Sequence, residues 1–167
     1  MIPLRALVQK LSLPEERDNP KPFREVDLIP LGKITELSES RHGRGITSAT
    51  VSIIKHCQAT NEPVVWVSPS DKSLFFAPDF SASGVDLERL LLVRAPRAEG
   101  ALRAAELLLR SGSFGLVVLD LTEVPPSLFE TRKSSGWQSR LAALAREHAA
   151  RVLLLTHRKA SDPSSGP

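Results

Sequence analysis

Two stretches carry residue types that could do chemistry. The first is Ser38 to Gly45, Ser-Glu-Ser-Arg-His-Gly-Arg-Gly, between an apolar run and a helix-like one. In a turn of that kind, backbone N–H groups can face phosphate oxygens. A lysine in the turn can reach the outer phosphates, and a hydroxyl after it can hold Mg²⁺; the pattern Gly-x-x-x-x-Gly-Lys-Ser/Thr places all three. Here Gly43 is kept, Arg44 stands at the lysine position and Gly45 at the hydroxyl position. Arginine can still meet a phosphate, but as a planar fork rather than a point charge. Glu39 adds negative charge where phosphates would sit, and Gly45 offers Mg²⁺ no ligand. The second stretch is Leu116 to Asp120, an apolar run ending in an acid. An acid there can hold Mg²⁺ through water, or it can cap a turn. The joint reading is a degenerate nucleotide site with binding candidates Ser38, Gly43, Arg44, Gly45 and Asp120. No catalytic residue and no cofactor is expected, ATP with Mg²⁺ being the one candidate ligand. His42, His56, His148 and His157 lack metal-ligand spacing, and no metal site is expected.

The elements that must position these residues alternate between two periodicities. Short, continuously apolar runs at Val64–Val67, Leu90–Val93, Leu116–Asp120 (ending in its acid) and Val152–Leu155 predict strands buried on both faces, and the more mixed Lys33–Leu37 is read as the first strand. Between them, Thr47–Thr60, Glu99–Arg110 and Ser135–Ala149 carry apolar residues at helical spacing. Glu99 and Arg103 are spaced for an i,i+4 ion pair. Ser68 to Gly84 reads as a long loop or an irregular helix. The prediction is α/β: a mainly parallel sheet of about five strands flanked by helices, with its functional crevice at the carboxyl ends of the strands. Those ends carry Ser38–Gly45, Ser68–Asp71, Asp120–Glu123 and Thr156–Arg158.

The chain has 167 residues with 41% hydrophobic content, enough for one core. A formal charge of +3 is a mild bias toward anionic partners. The single cysteine, Cys57, cannot form an internal disulfide and fits a reducing, cytoplasmic setting. There is no continuous apolar run of about 18 residues, so no membrane span is expected. Pro3 and Arg5 interrupt any signal-peptide core. Residues 1–27 read as an N-terminal helix and proline-rich arm, 28–160 as the core domain and 161–167 as a disordered tail.

Three further surfaces are candidates for partners. Arg41, Arg132, Lys133, Arg158 and Lys159, with Arg44, fall on loops at one predicted sheet edge and could contact DNA or an acidic protein. Leu4, Leu7, Val8 and Leu11 form the apolar stripe of the N-terminal helix, a docking candidate. Phe75, Phe76 and Phe80 either fill the core edge or form an exposed docking patch.

The ordered set of motifs resembles the RecA recombinases. Leu31-Gly32-Lys33-Ile34-Thr35-Glu36-Leu37 is similar to the lead-in to the RecA phosphate loop, and Gly84 to Leu91 to the segment before its third core strand. Leu116–Asp120 is similar to the Walker B strand, and Val152–His157 to the strand ending in the polar sensor. Phe114 to Leu121 and Leu91-Leu92-Val93-Arg94 resemble the RecA-like accessory proteins of the ImuA/SulA group. The resemblance implies a RecA-like three-layer core with a degenerate Walker A. It also marks departures: Ser70 stands at the place of the catalytic glutamate, and Thr156 or His157 at the sensor. The implied function is a non-catalytic accessory role in the bacterial SOS response and translesion mutagenesis. The implied partners are RecA and an ImuB-type polymerase-like protein, with DNA contact a weaker expectation and oligomeric state open. A nucleotide-binding switch or weak ATPase, and a SulA-like inhibitor of cell division, stand as alternatives.

Overall fold

A computed structural model of the chain describes residues 25–39, 45–69, 73–125 and 136–157. The elements run β1 Ile34–Glu39, α1 Gly45–Ala59, β2 Val64–Ser68, α2 Ala77–Ala82, β3 Leu90–Arg94, α3 Ala98–Arg110, β4 Leu116–Asp120, α4 Gly136–Glu147 and β5 Arg151–His157. Short 3-10 helices at Glu25–Leu28 and Leu87–Arg89 precede β1 and β3. The strands form one sheet in the order β1-β5-β4-β2-β3. Every pairing is parallel, so the mainly parallel expectation holds throughout.

The sheet is the middle of three layers because its central strands β5, β4 and β2 are apolar on both faces, while the edge strands β1 and β3 are partly exposed. Val65, Val67, Val117, Leu119, Val152 and Leu154 point to one side, against Ala101, Ala105 and Leu109 of α3 and Trp137, Leu141 and Ala145 of α4. Their alternates Val64, Trp66, Leu116, Val118, Leu153 and Leu155 pack on Ile46, Ile53, Ile54 and Cys57 of α1 and Phe80 of α2. β2 and β4 are buried at every position, which is what a parallel strand covered by helices requires.

Local chemistry sets the ends. α1 stops at Asn61, whose φ of 58° is the left-handed conformation asparagine tolerates. α3 stops at Gly112, with φ 66°, whose N–H reaches back to the Leu109 carbonyl at 3.0 Å. β1 runs two residues further than its apolar pattern, to Ser38 and Glu39, because β5 continues to Thr156 and His157 beside it. The 3-10 helix Glu25–Leu28 crosses the arm boundary expected at residue 27. Val26 and Ile29 are buried there, and the Arg151 Nε donates to the Ile29 carbonyl at 3.0 Å. Arg151 also pairs with Glu62, so one guanidinium joins this segment, the α1–β2 turn and β5.

Among the described residues, no helix is long and apolar enough to cross a membrane.

Candidate functional site at the carboxyl edge of the sheet

All five strands are parallel, so their carboxyl ends share one edge. Register places Ser38 beside Thr156, Glu39 beside His157, Asp120 beside Leu155 and Ser68 beside Arg94. The chain leaves β1 and β2 for the α1/α2 face and leaves β3 and β4 for the α3/α4 face. It therefore parts above the neighbouring strands β2 and β4, where a doubly wound sheet opens a crevice.

That crevice is bridged by Asp120. The residue is 2% exposed. Its Oδ2 accepts from the Ser73 hydroxyl at 2.6 Å and the Leu74 N–H at 2.8 Å. Its Oδ1 accepts from the Thr122 hydroxyl at 2.6 Å and the Thr122 N–H at 3.2 Å. A carboxylate has about four lone-pair sites, and four donors occupy them. Such satisfaction is what lets a carboxylate stay buried. The Ser73 oxygen accepts in turn from Trp66 Nε1 at 3.2 Å and the Phe75 N–H at 3.1 Å. The acid at the end of β4 thus fastens Ser73 and Leu74 of the β2–α2 connection. The turn-capping alternative describes its contacts, extended to a segment 47 residues earlier.

The other candidates separate. Ser38 is exposed at the end of β1, and Gly45 is exposed as the first residue of α1. A Cβ added at Gly45 meets nothing within 4 Å, so a hydroxyl-bearing side chain is missing there by identity and not for want of room. Gly43 and Arg44 lie outside the described residues, as do Arg41, Arg132, Lys133, Arg158 and Lys159 of the basic rim. Ser70 and the docking stripe Leu4, Leu7, Val8 and Leu11 also lie outside them. At the sensor place, Thr156 is 2% exposed and its hydroxyl donates to Glu36 Oε1 at 2.6 Å, whereas His157 is exposed.

The phenylalanine cluster divides between the two readings. Phe80 is 1% exposed, meets Trp66 edge-on at 5.4 Å between centroids and lies 4.7 Å from Phe75. Phe76 is 58% exposed. Cys57 is fully buried, and burial pushes its thiol up to about 12, with the Glu62 charge adding to the rise and Arg151 opposing it. Among the described residues, no group of three or more His, Cys, Asp or Glu converges as a metal site.

Sequence reasoning missed Ser73, Thr122 and Glu36. Asp120-x-Thr122 and Ser73-x-Phe75 are local side-chain-to-backbone turns, a pattern readable in sequence. The long-range join between Ser73 and Asp120 has no local signature.

No model of a known protein family matches the chain. It is similar to the protein RecA of Acinetobacter baumannii, 30% identical over 93 residues, which is 55% of this chain and 26% of that protein. The RecA of Acinetobacter baylyi matches to the same extent. That of Leifsonia xyli subsp. xyli is 31% identical over 93 residues, 55% of this chain and 25% of its own. The chain thus spans about a quarter of the length of the curated relatives it matches. Among solved structures it is similar to SulA from Pseudomonas aeruginosa, with a TM-score of 0.53 and 21% identity, over 75% of this chain and 98% of that one. The fold is α/β with an all-parallel, helix-flanked sheet, similar in sequence to part of RecA and in architecture to SulA.

Proposed function

We propose that this chain is a non-catalytic RecA-like accessory protein of the bacterial SOS response and translesion mutagenesis, of the ImuA type, acting in the cytoplasm. It binds RecA and an ImuB-type polymerase-like protein and modulates RecA activity, without turning over a nucleotide. The observation that carries this reading is Asp120. All four acceptor sites of the acid at the Walker B place go to Ser73, Leu74 and Thr122. Gly45 supplies no hydroxyl at the turn position that would hold the metal. Phosphoryl transfer depends on a positioned metal, and both of its usual protein contacts are spent or missing. The sheet is kept, and a kept scaffold without its chemistry is suited to recognition by partners of the ancestral fold. The test is co-purification with RecA, with and without single-stranded DNA. Retention of this chain on RecA is expected; no retention in either condition would remove the account's main partner.

A second reading is a SulA-like inhibitor of cell division, favoured by the likeness to the SulA structure over nearly all of that chain. Expression in a bacterium that lacks the SOS response separates the two. Filamentous cells would favour the inhibitor, and normal division the accessory protein.

A further inference from the structure

The outward face of α3 carries a charge order that is its own complement when the helix is reversed. Ala101, Ala105 and Leu109 point into the core. Glu99, Arg103, Leu107 and Arg110 are exposed, and Glu106 is half-buried beside them. About the midpoint between Ala104 and Ala105, Glu99 and Arg110 stand equally far out, and so do Arg103 and Glu106. Each pair joins opposite charges. We infer that this face is a self-association surface on which a second copy of the chain packs with its α3 antiparallel. Glu99 then faces the second copy's Arg110, and Arg103 faces its Glu106, each pair being made twice by the two-fold symmetry. A parallel arrangement would set every charge against its like, so the pattern also selects direction.

Three features of the face point to a second copy rather than another partner. The α3 stripe carries two acids and two arginines, and with the neighbouring Arg140 the surplus is a single positive charge, a weak attraction for nucleic acid or a strongly acidic protein. Leu107, at 59%, is the most exposed large apolar side chain among the described residues, and it lies within the charged set. Half of the set is unused among the described residues. Glu106 pairs with Arg110 at 2.9 Å and with Arg140 at 3.6 Å, while among the described residues Glu99 and Arg103 form no ion pair. The expected Glu99–Arg103 pair is therefore not made. Beside the face, a cleft of about 430 Å³ opens between α3 and α4. Leu102, Trp137 and Leu141 line it with Arg103, Glu106 and Arg140, leaving room for side chains of the second copy.

The contact is small. A helix of 13 residues is about 20 Å long, so association is weak, concentration-dependent and sensitive to salt. The test is sedimentation equilibrium of the full chain at low salt and at about 0.5 M salt. Dimer is expected at low salt and monomer at high salt. R103E opposes two acids across the two-fold and should weaken the dimer at least about tenfold, as E106R does with two arginines. In an equal mixture of the two variants the reversed positions face each other, and association should return to within about threefold of the native value. Circular dichroism of each variant checks its fold. Because Glu106 also holds Arg140, the pair E99R and R110E repeats the cycle without that loss. A chain that stays monomeric at about 1 mM in low salt, or mixtures that fail to restore association, would overturn the inference.

Discussion

Asp120 draws its contacts from two segments on either side of the crevice, so its removal exposes several unmet donors at once. In D120A the Ser73 hydroxyl, the Leu74 N–H and the Thr122 groups lose their acceptor inside the protein. An unsatisfied buried group costs about 1–3 kcal/mol, and partial relaxation will recover some of it. The expected loss is about 2–4 kcal/mol by urea denaturation, with Trp66 emission altered in the folded state because its Nε1 loses the ordered Ser73 oxygen. A stability change under about 0.5 kcal/mol would mean the clasp does not hold in solution. Cys57 makes a second residue-scale prediction. Its thiol is raised from 9.0 to about 12, and a raised acid favours the protonated form in the folded state. Its contribution is therefore complete below pH 9 and lost as pH rises from 9 toward 12. Unfolding free energy should fall over that window, and C57A should flatten the fall. A native chain whose Cys57 reacts with a thiol reagent at pH 8 as fast as a free thiol would contradict its burial.

At the scale of elements, the aromatic pair in and beside α2 separates core from surface. Phe80 is buried against Trp66 and Phe75, so F80A should cost about 3–5 kcal/mol. Phe76 is 58% exposed, so F76S should change stability by about 0.5 kcal/mol or less. Equal losses for the two would show that Phe76 is covered in solution. The same region shows where sequence reading ran short. β2, β4 and β5 were legible because a strand buried on both faces is apolar at every position. β1 was legible only to Leu37, since Ser38 and Glu39 are polar and are held in the strand by β5. α2 has six residues and begins Ala77-Pro78, too short for a helical period to emerge beside a proline. Phe80 faces the core through that short helix, which is why the three phenylalanines could not be told apart by composition. The acid at Asp120 was visible as a strand end, but its partners were set by a fold that brings Ser73 across from it.

Taken whole, the molecule is an all-parallel, helix-flanked sheet whose crevice is partly closed by its own backbone and side chains. The alternation of apolar runs and amphipathic helices was enough to reach the parallel, helix-covered sheet. It was not enough to reach the strand order, which places β5 between β1 and β4 and so separates Ser38 from Asp120. Arg94 and His157 stand exposed at the carboxyl edge among the described residues. The proposal turns on whether this edge takes a metal-bound nucleotide, which the arrangement around Asp120 argues against. The most direct measurement is a titration of the purified chain with a fluorescent ATP analogue, with and without Mg²⁺, repeated on D120N. No Mg²⁺-dependent binding is expected at concentrations of about a few hundred micromolar, and no difference between the native chain and the variant. Tight binding that requires Mg²⁺ and is lost in folded D120N would contradict it and make a nucleotide-gated switch the leading account.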